Sequence, residues 1–221
     1  MDRIEYNFRE FLRSNHDKAN RKRLTNTNFS VISSNCTGAM LSHALGIRFN
    51  SPTVNLFFEP SEYIKFLQRL DYYLSQEIDE DTILSEKMGY PVGICGDIRI
   101  HFMHYKSIAE ASKKWRQRCQ RVNMDNLFVI MVDRDGCSDD LRRKFDALPY
   151  ENKAFLSCKN HTDISCNVMV SDWAEDTTDG RQTTDLCRYQ SGFTGLRLFD
   201  LWDYVSFFNK ESKHNTINTP L

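Results

Sequence analysis

The sequence predicts an α/β protein, a three-layer sandwich whose sheet is mostly parallel or mixed, in a Rossmann-like arrangement. Short apolar runs, of which residues 127–132 are the strongest, predict buried strands. Stretches with apolar residues at helical spacing, such as 106–122, alternate with these runs. No internal repeat and no Gly-, Ser- or Pro-rich linker interrupts the 221 residues, so we expect a single domain spanning 1–221.

The elements can be placed in order along the chain. An N-terminal helix at about 2–24 is expected to pack through one apolar stripe formed by Ile4, Phe8, Phe11 and Leu12. The next elements are a strand at 29–34 and a helix at 36–45 that ends at Gly46. The remaining predictions are a strand at 53–58, a helix at 60–74, a strand pair in 90–105 with turns or bulges at Gly93 and Gly96, the helix at 106–122, the strand at 127–132, a helix at 138–148, strands at 153–157 and 166–170, an acidic loop at 172–185 and a closing helix at 198–208.

Composition restricts the classes of partner. The formal charge of -1 at pH 7 argues against nucleic-acid binding, and the longest apolar stretch, 127–132, is too short for membrane insertion. The first residues are amphipathic and charged, unlike a signal peptide. The seven cysteines are odd in number and include no C-x-x-C pair, so we expect free thiols in the cytoplasm.

The junction of the strand at 29–34 and the helix at 36–45 carries the first candidate site. Cys36 would lie at the helix N-terminus, whose free N–H groups lower the pKa of a thiol and bind anions or an oxyanion. Ser34 and Asn35 would contribute polar contacts, and Gly38 would let a ligand approach the backbone. The alternative is a buried cysteine that serves only in packing.

A second candidate set surrounds the end of the strand that contains His101. His104 ends an apolar face at the strand terminus, at the sheet edge where Cys36 is also expected, and would serve as its base. Asp97 would orient the histidine if the turn at Gly96 brings it back. The alternative for His104 is a core histidine with satisfied hydrogen bonds. A zinc site from His101 and His104 is disfavoured because residues three apart lie on opposite faces of a strand.

The helix at 106–122 is rich in basic residues. Most of them predict a solvated face, but Arg118 and Arg121 lie near its inward edge and would hold a phosphate or carboxylate. Tyr105, beside His104, and Trp115, three residues before Arg118, complete the substrate-binding candidates. Ion pairs with carboxylates would explain the two arginines equally well.

Asp133 and Asp135 form a D-x-D directly after the strand at 127–132. In many glycosyltransferases such a pair holds a divalent metal on the diphosphate of a nucleotide sugar. Asp-Gly at 135–136 is also an ordinary turn signal, and the turn is the favoured interpretation. We therefore expect no metal site, and the metal enters only with the glycosyltransferase alternative.

Several stretches resemble a known family. The most specific are the S-N-C junction at 34–36, the HFMHY strand end at 101–105 and the WRQRCQR helix at 115–121, and the resemblance covers about 25–210. The chain resembles a bacterial family of unknown function, often labelled exopolysaccharide biosynthesis proteins, whose members occur in capsule and exopolysaccharide gene clusters. In that family the cysteine usually follows two asparagines and precedes an aromatic residue and glycine. Here Ser34 and Thr37 depart from that pattern.

The resemblance implies an α/β fold and a role in surface-polysaccharide production, without a reaction. The leading hypothesis is an enzyme that transfers or removes an acyl group on a sugar or an activated sugar precursor, with an acyl-coenzyme A as a candidate donor. One alternative is a metal-dependent glycosyltransferase that uses a nucleotide sugar. Another is a non-catalytic accessory protein that binds a precursor or a polysaccharide-assembly enzyme.

Overall fold

The structure, a computed structural model, describes residues 3–170, 177–178, 181–182, 185–190 and 194–211. The helices are α1 (Arg3–Arg23), α2 (Thr37–Ala44), α3 (Pro60–Gln68), α4 (Leu70–Leu74), α5 (Thr82–Met88), α6 (Ile108–Cys119), α7 (Asp139–Asp146) and α8 (Tyr204–Phe208). The strands are β1 (Ser30–Ser33), β2 (Asp79–Glu80), β3 (Val92–Cys95), β4 (Ile98–His101), β5 (Leu127–Val132), β6 (Asn152–Ser157), β7 (Asn167–Met169), β8 (Thr177–Thr178) and β9 (Arg181–Gln182). Two short 3-10 helices cover Met124–Asn126 and Leu198–Leu201.

The main sheet has four parallel strands in the order β1-β5-β6-β7. A second sheet, β2-β3-β4, is antiparallel and includes the hairpin that turns at Gly96. Every residue of β5 is buried because helices or loops cover both faces of the parallel sheet. These findings confirm the predicted α/β class.

The core lies in two layers, one on each face of the main sheet. Leu127, Val129 and Met131 of β5 face a cluster that includes Tyr63 and Trp115. The alternate β5 residues, 128, 130 and 132, face a second cluster with Phe29 and Phe208. The sheet is therefore the middle layer of the predicted sandwich.

Helix α1 packs differently from the prediction. The bounds agree with the sequence, but the side chains of Phe8 and Phe11 are 49% and 62% exposed. The buried residues are polar instead: Arg13, Asp17 and Asn20. The predicted apolar stripe was wrong because the helix is held by charged and hydrogen-bonded groups from the end of the chain.

These groups centre on Asp200, whose carboxylate is fully buried. Arg13 forms ion pairs with Asp200 and with Asp17, the second at 2.6 Å. Tyr204 donates to Asp200 at 3.3 Å and accepts from the amide of Asn20 at 2.8 Å. The network therefore joins α1 to the last part of the described chain.

Other boundaries also differ. Residues 53–58 form no strand, and only Phe57 makes a β-bridge, with His101. The helix predicted at 60–74 is divided at Arg69, whose φ of -136° interrupts it. Gly93 is no turn: it lies within β3, where an added Cβ would be 2.4 Å from Ile78.

Towards the end of the chain, the predicted closing helix at 198–208 is a 3-10 turn followed by α8. Most of the loop predicted at 172–185 lies outside the described residues; within it, β8 and β9 pair antiparallel. Among the described residues, every helix is too short or too polar to span a lipid bilayer.

Candidate active site around Cys36

A cavity of about 1000 Å³ lies at the carboxyl end of the parallel sheet, where α/β folds commonly bind ligands. The segments after β1, β4 and β5 all contribute to it, and residues between 185 and 189, together with Arg197, complete the wall. Its lining residues are Asn35, Cys36, Thr37, Met40, Asn55, Phe57, Tyr90, Met103, His104, Arg134, Asp135, Asp185, Cys187, Arg188, Tyr189 and Arg197.

Cys36 is the residue that precedes α2, as the sequence predicted for the junction. Its Sγ is 3.8 Å from the carbonyl oxygen of Leu56, to which the thiol donates. Asn35 accepts a hydrogen bond from the N–H of Thr37 at 3.0 Å, which fixes the turn between β1 and α2. That N–H, one of the candidate oxyanion donors, is therefore bonded to Asn35.

The surroundings of Cys36 shift the pKa of its thiol in the direction opposite to the one expected. Burial, together with the smaller effect of the Asp185 carboxylate, raises the pKa of the Cys36 thiol to about 11, while Arg134 opposes the shift. The predicted lowering of the pKa was wrong, because desolvation of the thiolate is the largest cause of the shift and raises the pKa. At neutral pH the sulfur is a thiol, and a base must remove its proton before it can act as a nucleophile.

Ser34 and Gly38 do not line the cavity, and the structure gives both a structural role. The Ser34 hydroxyl accepts from the N–H of Val132 at 3.2 Å, which ties β1 to β5. A Cβ at Gly38 would lie 2.6 Å from the Cβ of Ser33 and 3.0 Å from Val31. Gly38 therefore lets α2 lie directly on β1, and the predicted ligand approach at this glycine is not found.

The two histidines of the HFMHY stretch have different surroundings. His104 is exposed and lines the cavity together with Cys36, as the sequence predicted from their shared sheet edge. His101 is buried, stacks on Phe57 with ring centroids 4.4 Å apart, and bonds through Nδ1 to the hydroxyl of Tyr90 at 3.2 Å. Burial lowers the pKa of His101, and Arg99 adds to this effect. His101 is thus the histidine packed in the core.

Asp97 is not near the cavity. Its carboxylate accepts from the Tyr73 hydroxyl at 2.5 Å and pairs with Lys65 at 3.5 Å, at the turn of the β3–β4 hairpin. The hydrogen bond from Tyr73 lowers the pKa of Asp97. The proposed orientation of His104 by Asp97 was wrong because the hairpin carries the carboxylate to the end opposite His101.

The remaining substrate candidates, Tyr105, Trp115, Arg118 and Arg121, also lie outside the cavity lining. Trp115 is buried among core aromatics. Arg118 donates to the Tyr105 hydroxyl at 2.6 Å, and that hydroxyl donates to the carbonyl of Val54 at 2.9 Å. Arg118 therefore supports the loop that contains Asn55 and does not contact the cavity itself.

The D-x-D carboxylates point in different directions. Asp133 is buried and accepts from Ser157 at 2.7 Å, and it also contacts His161 and Arg142. Asp135 pairs with Arg134 at 2.7 Å and has a positive φ of 57°, as in a turn. Within the described ranges, no group of three or more His, Cys, Asp or Glu residues is placed to hold a metal ion.

Sequence reasoning missed much of the cavity wall. Arg134 lies between the two aspartates of the D-x-D motif, whose pattern points to the carboxylates and not to the arginine. Asp185 accepts from the N–H of Cys187 at 2.8 Å, and Arg197 stacks on Tyr189 at 4.3 Å and donates to the Cys187 carbonyl. Nothing in the sequence links these residues to Cys36, since they lie about 150 positions later and follow no periodic pattern.

Comparison with other proteins places the chain in a family. A profile of a family described as a domain of unknown function (DUF1919) matches residues 7–209. A protein of Haemophilus influenzae, described as an uncharacterized protein, is 38% identical over 188 residues, which are 85% of this chain and 87% of that protein. Because the profile includes Cys36, His104 and nearly all of the described fold, the chain belongs to the DUF1919 family.

Proposed function

We propose that the protein is an enzyme of surface-polysaccharide assembly that transfers or removes an acyl group at Cys36. The observation that supports this most is that Cys36 and His104, from distant parts of the chain, line one cavity. A thiol and an imidazole in one site are the groups that nucleophilic acyl transfer requires. The link to polysaccharides comes from the family resemblance, and with it we infer a sugar or nucleotide-sugar-like acceptor in the cytoplasm.

The cavity suits such a substrate in size and lining. A volume of about 1000 Å³ is at the upper end of the range for small-molecule sites. Aromatic and methionine side chains form apolar walls, with Phe57 and Tyr90 beside the buried His101. Arg134 and Arg197 also line the cavity, and guanidinium groups suit a phosphorylated or carboxylated part of the substrate.

The first half of the reaction forms an acyl-enzyme. Cys36 Sγ attacks the carbonyl carbon of a thioester donor, and its proton passes to His104. The carbon–sulfur bond of the donor breaks, and the leaving thiolate takes that proton from the imidazole. The raised pKa of Cys36 makes the base necessary, because the thiol is protonated at neutral pH.

The second half returns the enzyme to its starting state. A sugar hydroxyl attacks the acyl carbon, its proton passes through His104 to Cys36 Sγ, and the bond from sulfur to the acyl carbon breaks. Water in place of the sugar would give hydrolysis by the same steps. Both outcomes leave one acyl group on oxygen and a free thiol on the enzyme.

Turnover of acetyl-coenzyme A tests the proposal, with release of free coenzyme A as the readout. We expect release above the rate in buffer, lost in Cys36→Ala and reduced about a hundredfold or more in His104→Gln. Cys95→Ala is the matched control, because Cys95 is a buried thiol of β3 outside the cavity lining. Equal rates in wild type and Cys36→Ala would refute the proposal, and a wild-type rate no higher than in buffer would favour an accessory, non-catalytic role.

A further inference from the structure

A cluster of three arginines, Arg48, Arg118 and Arg121, lies beside the C-terminal end of α6. Arg118 is in the last turn of that helix, and Arg121, two residues past the helix end, donates its N–H to the carbonyl of Arg118 at 3.0 Å. Arg48 precedes Phe49, whose ring is 5.9 Å from the guanidinium carbon of Arg118. The charge of Arg48 also acts on Arg121, so the loop after α2 brings a third guanidinium near the helix end.

The three side chains have no carboxylate partner among the described residues. Within the described ranges, Arg118 donates to the Tyr105 hydroxyl, which is a neutral group. The Nε of Arg121 is buried and has no hydrogen-bond partner in the described part of the chain. Burying an N–H donor without an acceptor costs free energy. The unpaired Nε of Arg121 therefore indicates a missing acceptor.

The three positive charges of the cluster repel one another, as expected where no carboxylate lies between them. Desolvation lowers the pKa of Arg121, and the charges of Arg48 and Arg118 lower it further. The negative end of the helix dipole lies at the C-terminus of α6 and stabilises the positive charges of Arg118 and Arg121 there. It does not explain Arg48, which belongs to another segment.

We propose that Arg48, Arg118 and Arg121 form a binding site for the diphosphate group of a small molecule. Guanidinium groups bind phosphate oxygens with paired, charge-assisted hydrogen bonds, and a diphosphate has enough oxygens for three of them. The site would satisfy Arg121 Nε and neutralise the repulsion among the three charges. It does not depend on the proposed acyl transfer, because none of the three residues lines the Cys36 cavity.

Calorimetric titration with inorganic pyrophosphate at constant ionic strength tests the site. We expect saturable binding to the full chain, weakened about tenfold or more in both Arg48→Gln and Arg121→Gln. Arg143→Gln is the matched control, because it removes one positive charge from an exposed pair with Asp163. Binding should be unchanged in that variant, and Arg134→Gln, which changes the Cys36 cavity, tests whether pyrophosphate binds there instead.

The proposal would be overturned by no saturable binding to the wild type, by affinity retained in Arg48→Gln or in Arg121→Gln, or by an equal loss in Arg143→Gln. Loss in Arg134→Gln would assign the pyrophosphate to the Cys36 cavity, which also overturns it. Arg48 is exposed, so its variant is expected to fold, and thermal unfolding of each variant checks this. Because release of coenzyme A is measured separately, failure of acyl transfer is distinguishable from failure of this site.

Discussion

The thiol of Cys36 and the carbonyl oxygen of Leu56 are 3.8 Å apart, so the sulfur at the start of α2 faces the loop that follows α2. That loop is supported in turn by Tyr105 through Val54. The thiol is thus held at the cavity wall in its neutral form, with burial as the main reason for its high pKa. This arrangement leads to the first prediction.

Alkylation of Cys36 by iodoacetamide should be slow at pH 7 and should rise with pH well beyond the midpoint of a free thiol, about 8.5. The reactive form is the thiolate, and the fraction of thiolate increases only as the pH approaches the raised pKa of about 11. Peptide mass spectrometry across pH 6 to 10, on folded protein, measures the rate at this residue. A midpoint below 8.5 would show that the helix field, and not burial, controls the thiol.

Replacement of Arg13 by methionine should destabilise the fold by about 3–5 kcal/mol. The change leaves the fully buried carboxylate of Asp200 without its arginine, and an unpaired buried charge is costly. Arg143→Met is the control, since its pair with Asp163 is exposed and should contribute at most about 1 kcal/mol. Urea unfolding measures both. Equal effects of the two substitutions would show that the buried network does not hold α1.

The same network predicts a dependence on pH. Burial would raise the pKa of Asp200, but the hydrogen bond from His16 and the charge of Arg13 prevail and lower it. The stability that Asp200 contributes is therefore present above its unfolded pKa, about 3.9, and is lost as pH falls through the lower folded value.

The difference in unfolding free energy between the wild type and Asp200→Asn should thus shrink from pH 6 to pH 3. Urea midpoints at several pH values measure it, with Asp163→Asn as an exposed control. A difference that stays constant over this range would contradict the assigned shift.

Phe11→Ser should change the free energy of unfolding by no more than about 0.5 kcal/mol, because the ring is 62% exposed. Phe66→Ala, in the core, should cost about 3–5 kcal/mol. Thermal or urea unfolding of the two variants measures the contrast. A large loss in Phe11→Ser would restore the apolar stripe that the sequence predicted for α1.

These cases show where sequence reasoning succeeds and why. Strand β5 was predictable because all six residues are apolar, as a strand covered on both faces requires. The position of Cys36 was predictable because a strand run ends just before it and a helix that ends at Gly46 follows. Both features depend on residues that are neighbours along the chain, so they can be predicted from the sequence alone.

The errors have a common physical cause, which is distance along the chain. The face of α1 that is buried depends on Asp200, 187 positions from Arg13. The apolar run at 53–58 is buried by tertiary contacts and lacks strand partners beyond the single bridge of Phe57. The pKa of Cys36 depends on burial and on Asp185, so the residue type and its position on a helix predicted the wrong sign.

The most direct test of the central claim is to look for an acyl group on Cys36. The protein is mixed with acetyl-coenzyme A, quenched with acid within seconds and digested. The mass of the peptide that contains Cys36 is then measured by mass spectrometry. We predict an acetyl adduct on Cys36 in the wild type and no adduct on Cys95. In His104→Gln, the adduct on Cys36 should form only slowly. An unmodified Cys36 in a protein that still releases coenzyme A would contradict the account, because the acyl group would then pass to its acceptor without the thiol.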